Sequence, residues 1–283
     1  MAARRTVERI VALIRDTSSS LPADAERALR RALRREERCS GAAAVISTIL
    51  KNVRLARAAG TPLCQDTGTL TFFVDWRLRA KVPPEAIGEA VARATELGYL
   101  RRNTIDPVSG ASIDTNVCAG APVVHYVDAP ANGVSLLMKG GGSENMSRQY
   151  SLPDAALGAG RDLEGVRRCV LDAAFQAQGY GCAPGVLGVC IGGDRASGFE
   201  EAKLQLLRAI GSAEGAASAE LRAFERRLLD ECNSLGIGPM GLGGRTTLLD
   251  VHVGTRPRVP ASFFVTVAYM CWACRRGSLK FKV

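Results

Sequence analysis

Residues 62–76 read Pro62-Leu-Cys-Gln-Asp-Thr-Gly-Thr-Leu-Thr-Phe-Phe-Val-Asp-Trp76, and within them the chain changes character. Upstream, Val7, Ile10, Val11 and Ile14 recur at i, i+3, i+4 and i+7, the spacing that gathers apolar groups on one face of a helix. The same periodicity predicts helices over about 4–16, 22–38 and 42–59, with Asp24 capping the second and Gly60-Thr-Pro62 ending the third. Downstream, Leu70 to Trp76 is rich in β-branched and aromatic residues and reads as a strand. The division that follows is a helical N-terminal segment, 1–60, packed on a main domain, 61–283, which reads as one continuous domain.

Beyond the strand, Pro84 to Tyr99 returns to a helix with Ile87, Val91 and Ala94 on one face. Val123 to Val127 and Val134 to Met138 read as short strands separated by the turn formers Asp128, Pro130, Asn132 and Gly133. Helices are expected over 165–178, 198–209 and 217–235, and buried strands over 186–191 and 263–271. Strands and helices without regular alternation predict an α+β fold rather than a doubly wound sheet.

Composition narrows the function classes. Of 283 residues, 47% are hydrophobic and 23% charged, which excludes disorder and fibrous repeats. The longest apolar stretch, Phe263 to Cys274, is too short to span a bilayer, and the N-terminus lacks the features of a secretion or transit signal, so a cytoplasmic protein without a membrane role is expected. Residues 1–60 carry 13 Lys or Arg against 6 Asp or Glu, a surplus of 7 in the net charge of +9. Their arginines lie mostly off the apolar stripe, so a solvated helix face is expected in preference to nucleic-acid binding. The nine cysteines are odd in number and scattered, which argues for reduced thiols or metal ligands over a disulfide framework.

Three segments combine glycine, thiols and charged or amide groups. In Cys64-Gln-Asp-Thr-Gly68 a thiol is followed by an amide, a carboxylate and a hydroxyl on a turn, a grouping that suits a metal ligand with polar neighbours as well as a buried cysteine before a turn. Lys139-Gly-Gly-Gly-Ser-Glu-Asn-Met146 offers flexible backbone N–H groups beside a cation, fitting an anionic oxygen or a plain glycine-rich turn; it lacks the P-loop order. Gly181 to Asp194 places Cys182 and Cys190 around Pro184, either thiol being equally suited to a core. Near the C-terminus Cys271-Trp-Ala-Cys274 has the form of a redox or zinc pair, but only His125 and His252 exist to complete a zinc site. Together these segments suggest an enzyme that binds a small anion with a thiolate-held metal.

Four ordered motifs then become specific: Cys64-Gln-Asp-Thr-Gly68, Lys139-Gly-Gly-Gly-Ser-Glu-Asn-Met-Ser147, Leu235-Gly-Ile-Gly-Pro-Met-Gly-Leu-Gly-Gly244, and Cys271-Trp-Ala-x-Arg-Arg276. Over about residues 5–280 the chain resembles the α subunit of the iron–sulfur hydro-lyases, the class I fumarases and L(+)-tartrate dehydratases. The resemblance implies a mixed α+β catalytic domain carrying a [4Fe–4S] cluster on Cys64, Cys182 and Cys271, with one iron left open as a Lewis acid. It places Gln65, Asp66 and Arg101 as catalytic residues around the substrate carboxylates. Thr67 and the Gly140-Gly141-Gly142 turn join them in substrate binding, and the arginine fork suits a carboxylate.

The implied reaction is reversible hydration of fumarate to malate in the tricarboxylic acid cycle; tartrate and mesaconate are the alternative substrates. A β-type region bearing the base is expected on a separately encoded β subunit, in an α2β2 assembly or a homodimer through the α chain. Three departures from the family pattern stand out: Cys182-Ala183-Pro184 for Cys-Pro-Pro, Cys190 for a glycine, and Val259 where a substrate-facing histidine is expected. His252 reads as a core or strand-edge residue instead. A non-catalytic iron–sulfur sensor or assembly protein is the rival reading, opposed by the carboxylate-binding groups, which a sensor does not need.

Overall fold

A computed structural model describes residues 2–128, 133–212 and 214–281. The elements in chain order are α1 (Ala2–Ser19), α2 (Ala23–Arg35), α3 (Gly41–Ala59), β1 (Thr69–Asp75), α4 (Pro84–Glu96), β2 (Thr104–Ile105), β3 (Ser112–Ile113), β4 (Val123–Val127) and β5 (Gly133–Lys139). They continue with α5 (Gly141–Asn145), β6 (Arg148–Ser151), α6 (Leu163–Ala177), β7 (Gly185–Gly192), α7 (Arg195–Gln205), α8 (Ala219–Ser234), β8 (Leu248–Arg256), β9 (Phe264–Met270) and β10 (Arg275–Lys280). Helices and mixed sheets make this the α+β fold expected from the sequence. Pro130 and Asn132, read as turn formers, lie outside the described residues.

The chain divides into two compact units. The first comprises Met1–Pro22, Lys51–Gly141 and Arg275–Val283, the second Ala23–Leu50 and Gly142–Cys274. The first 60 residues are thus shared between them, and α3 runs from the second into the first.

In the first unit the sheet order is β10-β5-β1-β4, with β1 antiparallel to β5 and parallel to β4. Leu70, Phe72 and Val74 point to one face, where they join Val7, Ile10 and Ile14 of α1 and Ile87, Val91 and Ala94 of α4 in a single core. The spacing of 3.6 on the helices and of 2 on the strand therefore converge on one buried layer. Gly277 of β10 lies directly under α1: a Cβ there would fall 2.4 Å from Thr17 Oγ1. Not every α1 arginine is simply solvated, since Arg9 stacks over the Phe281 ring at 4.2 Å.

The second unit holds a sheet of order β6-β9-β7-β8. Leu187 and Val189 of β7 pack with Val166, Val170 and Ala173 of α6 and Leu228 of α8 on one face. On the other, α7 approaches so closely that a Cβ on Gly188 would lie 2.0 Å from the Ala202 carbonyl oxygen. That helix begins at Arg195, three residues before the expected start. Asp194 makes a capping box, accepting from Ala196 and Ser197 N–H at 2.7 and 3.0 Å while Ser197 Oγ accepts from Asp194 N–H at 3.0 Å. Asp24, expected as the cap of α2, lies inside that helix and instead accepts from Ile210 N–H at 2.7 Å. Five strands escaped the sequence reading, the short β2, β3 and β6 and the longer β8 and β10; His252 of β8 and Arg275 and Arg276 of β10 are buried rather than solvated.

Candidate active site

In the first unit the Cys64–Gly68 turn is tied down from both sides. Leu63 N–H donates to Ser18 O at 2.9 Å and Leu63 O accepts from Asn52 Nδ2 at 2.9 Å, which anchors the turn to the end of α1 and to the body of α3. Gly68, at φ +74°, closes it; a side chain there would meet Lys139 O at 2.3 Å, so only glycine lets the turn lie against the end of β5. Cys64 is half-buried, Gln65 exposed, Asp66 half-buried and Thr67 buried. Asp66 N–H approaches Cys64 Sγ at 3.5 Å.

The Asp66 carboxylate is held at both oxygens. Oδ2 accepts from Gly141 N–H at 2.7 Å and Oδ1 from Asn103 Nδ2 at 3.1 Å. Gly140 lets the turn pass, because a Cβ there would sit 2.9 Å from Asp66 Oδ2 and 3.8 Å from Arg275 Nη2. One donor of the glycine turn is therefore already committed to Asp66. Thr67 is committed likewise: its hydroxyl accepts from Arg101 N–H at 2.8 Å and fixes the backbone from which the exposed Arg101 side chain extends.

Asn116, which sequence reasoning missed, organises the same region. It is buried in left-handed backbone at φ 57°, a conformation asparagine tolerates better than most residues. Its Oδ1 accepts from Asn103 and Thr104 N–H at 3.2 and 3.1 Å, and its Nδ2 donates to Arg101 O at 2.7 Å and Thr95 Oγ1 at 3.0 Å. All four polar contacts are thus made, and the strand of chain carrying Arg101 and Asn103 is pinned. Asp66, Asn103, Asn116 and Gly141 line a cavity of about 360 Å³ at this end of the sheet, together with the backbone of residues 120–123. The dipeptide Thr115-Asn116 after an exposed hairpin was the one available signal.

The second unit holds the other two singled-out thiols. Cys182 is exposed and in left-handed backbone at φ 53°; Cys271 is buried at the end of β9. Trp272 N–H donates to Cys182 O at 3.2 Å and Met240 N–H to Ala183 O at 3.0 Å, so the segment 181–185 is stitched to both neighbouring turns. Gln178, at the end of α6, and Met240 also have positive φ, so three non-glycine residues around this segment hold unfavourable backbone. The segment after Gly142 supports Cys271: Ser143 Oγ accepts from Cys271 N–H at 3.2 Å, and Ser147 Oγ from Tyr269 N–H at 3.2 Å. Gly142 itself is exposed. Cys274 is buried, its N–H donating to Cys271 O at 3.1 Å across the turn into β10. Among the described residues, no three His, Cys, Asp or Glu are grouped as a metal site.

Cys190 is a core thiol, and burial pushes it up to about 12. His252 is buried in β8 between Asp250 Oδ2 and Gln205 O, each at 3.0 Å, while Val259 is exposed in the connection to β9. Despite the cost of burying it, the Asp250 carboxyl is held below its usual range by His252 and the Gly211 and Val251 N–H groups.

The α+β architecture thus sets an anchored carboxylate at a cavity in the first unit and thiols on constrained turns in the second. The chain belongs to the fumarate hydratase (Fumerase) family, whose model matches residues 7–280. It is 44% identical over 95% of its length to a Geobacillus stearothermophilus protein provisionally named fumarate hydratase class I, and spans about half (53%) of that relative. It is 33% identical to a Methanocaldococcus jannaschii protein provisionally named L(+)-tartrate dehydratase subunit alpha, covering 97% of this chain and 96% of the other. With the L(+)-tartrate dehydratase subunit alpha of Escherichia coli K12 the identity is 30%, over 93% and 86% of the two chains. The enzymes that lend these relatives their names are hydro-lyases. No helix among the described residues is long and apolar enough to cross a membrane.

Proposed function

We propose that this chain is the cluster-bearing part of a hydro-lyase that adds water reversibly to fumarate, giving malate. The observation that carries the reading is the 44% identity to the relative named for fumarate hydratase, sustained over nearly the whole chain. Tartrate is the second candidate, favoured by the near-complete length match to chains named as tartrate dehydratase α subunits. That length match also supports completion of the site by a β-type chain.

Cys64, Cys182 and Cys271 are the cluster ligands in this reading. The donor chemistry fits: none of the three cysteines is in a disulfide, Cys64 Sγ already faces a backbone N–H, and the buried Tyr269 hydroxyl near the Cys182 turn has no partner. A [4Fe–4S] cluster with three protein ligands supplies a Lewis acid that makes hydroxide a better leaving group.

The chain's own residues do the rest. Arg101 and Gln65, both exposed, bind the substrate carboxylates, the guanidinium by a two-point fork and the amide by a single donor. Thr67 and Asn116 hold the Arg101 backbone so that the fork is aimed before the substrate arrives, which lowers the ordering cost of binding. Asp66, fixed by Gly141 and Asn103, presents a carboxylate of set orientation beside Cys64 and accepts a hydrogen bond from the substrate hydroxyl or attacking water. Gly141 acts through Asp66, and Gly140 and Gly142 keep the turn free of side chains.

Anaerobic reconstitution with iron and sulfide, alone and with a co-expressed β-type partner, tests this by absorbance assays with fumarate, malate, tartrate and mesaconate. Turnover that needs the partner and vanishes in Cys64→Ser is expected, with fumarate and malate the best substrates. A cluster that forms but turns over none of the four substrates overturns the hydro-lyase reading, and failure of any cluster to form overturns the assignment of the three ligands.

A further inference from the structure

Tyr269 is the penultimate residue of β9, 1% exposed, and its hydroxyl has no hydrogen-bond partner. A buried phenol ordinarily finds an acceptor, because leaving the O–H dry and unpaired costs about 1–3 kcal/mol. The ring lies against the turn that carries Cys182. A Cβ on Gly181 would come within 2.4 Å of the ring and 3.0 Å of its oxygen, and one on Gly185 within 2.6 Å of that oxygen. The two glycines that bracket Cys182-Ala183-Pro184 are therefore small because this phenol occupies their side-chain space. The strand that bears Tyr269 ends at Met270, one residue before Cys271, and the Ser147 and Ser143 oxygens hold the amides of residues 269 and 271.

The groups around the oxygen are short of acceptors. Cys182 lies on the turn between those two glycines, and Cys271 follows two residues along the chain from Tyr269, just past the end of β9. A neutral thiol is a weak acceptor. A thiolate bound to metal is a much better one, since the sulfur keeps negative charge and has lost its proton.

Resting on the assignment of Cys182 and Cys271 as cluster ligands, we propose that the Tyr269 hydroxyl donates a hydrogen bond to a sulfur of the bound cluster, making Tyr269 a positioning residue that holds the Cys182 turn and raises the cluster's reduction potential. Hydrogen bonds to cluster sulfurs are among the terms that set such potentials, because they stabilise the more negative, reduced state. The arrangement explains both otherwise costly features, the unpaired phenol and the strained backbone at Cys182.

The test compares the reconstituted wild-type protein with Tyr269→Phe, which keeps the ring and removes only the hydroxyl. An EPR-monitored redox titration is expected to give a lower midpoint potential for the variant, and a chelator to strip its cluster several-fold faster. Resonance Raman spectra of the wild type in H2O and D2O supply a second readout: an isotope shift of the iron–sulfur stretches is expected, reduced in the variant. Equal potentials and equal isotope shifts in the two proteins overturn the role of Tyr269 while leaving the cluster in place. Absence of any isotope shift in the wild type overturns it even if the variant fails to fold. If the wild type binds no cluster at all, the ligand assignment fails and this inference fails with it, an outcome seen at the first absorption spectrum.

Discussion

Replacing Asn116 by alanine is expected to loosen the segment that presents Arg101, and the size of the effect follows from its contacts. Four hydrogen bonds are lost, to the Asn103 and Thr104 amides, the Arg101 carbonyl and the Thr95 hydroxyl. Thr95 keeps its bond to Val91 O at 2.8 Å, and Arg101 and Asn103 are exposed enough for water to replace part of what is removed. At ~0.5–1 kcal/mol per bond the loss is about 2–4 kcal/mol. Alanine at a left-handed position adds about 1 kcal/mol, giving roughly 3–5 kcal/mol in all. For a chain of this size that corresponds to a fall in Tm of roughly 6–20 °C.

Asn116→Gly separates the two contributions, because glycine adopts the positive φ without cost and loses only the side-chain bonds. Calorimetry of the three proteins gives the stability order, and hydrogen exchange of the amides of residues 101–104 reports whether the damage is local. Faster exchange at Asn103 and Thr104 in both variants is expected, with a weaker affinity for dicarboxylates. A Tm within about 2 °C of the wild type together with unchanged exchange at these amides refutes the account of Asn116 as the pin of the Arg101 segment.

Three further outcomes follow from the packing of the second unit. Gly188→Ala forces a methyl to within 2.0 Å of the Ala202 carbonyl, so α7 must lift off the sheet; a loss of at least ~3 kcal/mol in urea unfolding is expected, and a loss under 1 kcal/mol contradicts the close approach. Glu225→Ala removes the carboxylate that accepts from the largely buried Arg208 at 2.6 Å and from Val253 N–H at 2.7 Å, a change expected to cost about 3–5 kcal/mol, with Glu225→Gln restoring part of it. The buried thiols Cys169, Cys190 and Cys232 are each raised by burial from an ordinary 9.0 to about 12. Since they ionise more readily in the unfolded chain, stability is full below pH 9 and falls between about 9 and 12. A Tm profile across that range is expected to flatten in Cys232→Ala, and an unchanged slope argues against this source of alkaline instability.

What the sequence disclosed was what local periodicity encodes. The stripe on α1, the face of α4, the helix α6 and the runs in β1 and β7 are each written into neighbouring residues, and each was read correctly. The longer of the missed strands, β8 and β10, carry polar residues that find partners far away in the chain. Asp250 and His252 make β8 look like a loop until one sees that they bond each other and the end of α7. Arg275 and Arg276 make β10 look like a charged tail, yet both are buried beside β5. At the site, the Cys64–Gly68 and Gly140–Gly142 turns stood out because glycine marks a close approach of backbones. The positioning roles of Thr67, Asn103 and Asn116 stayed hidden because each is defined by chain that returns 12 to 37 residues away.

The place of β10 also sets the order in which the molecule is assembled. Its partner β5 leaves the ribosome more than 130 residues earlier, and the whole second unit, apart from α2 and the start of α3, is synthesised in between. Until that happens β5 is a bare sheet edge, and α1 has no strand beneath Leu13 and Thr17. Completion of the first unit is thereby a late, long-range event, and a ribosome stalled after Cys274 holds a nascent chain whose earliest helix still waits for its support.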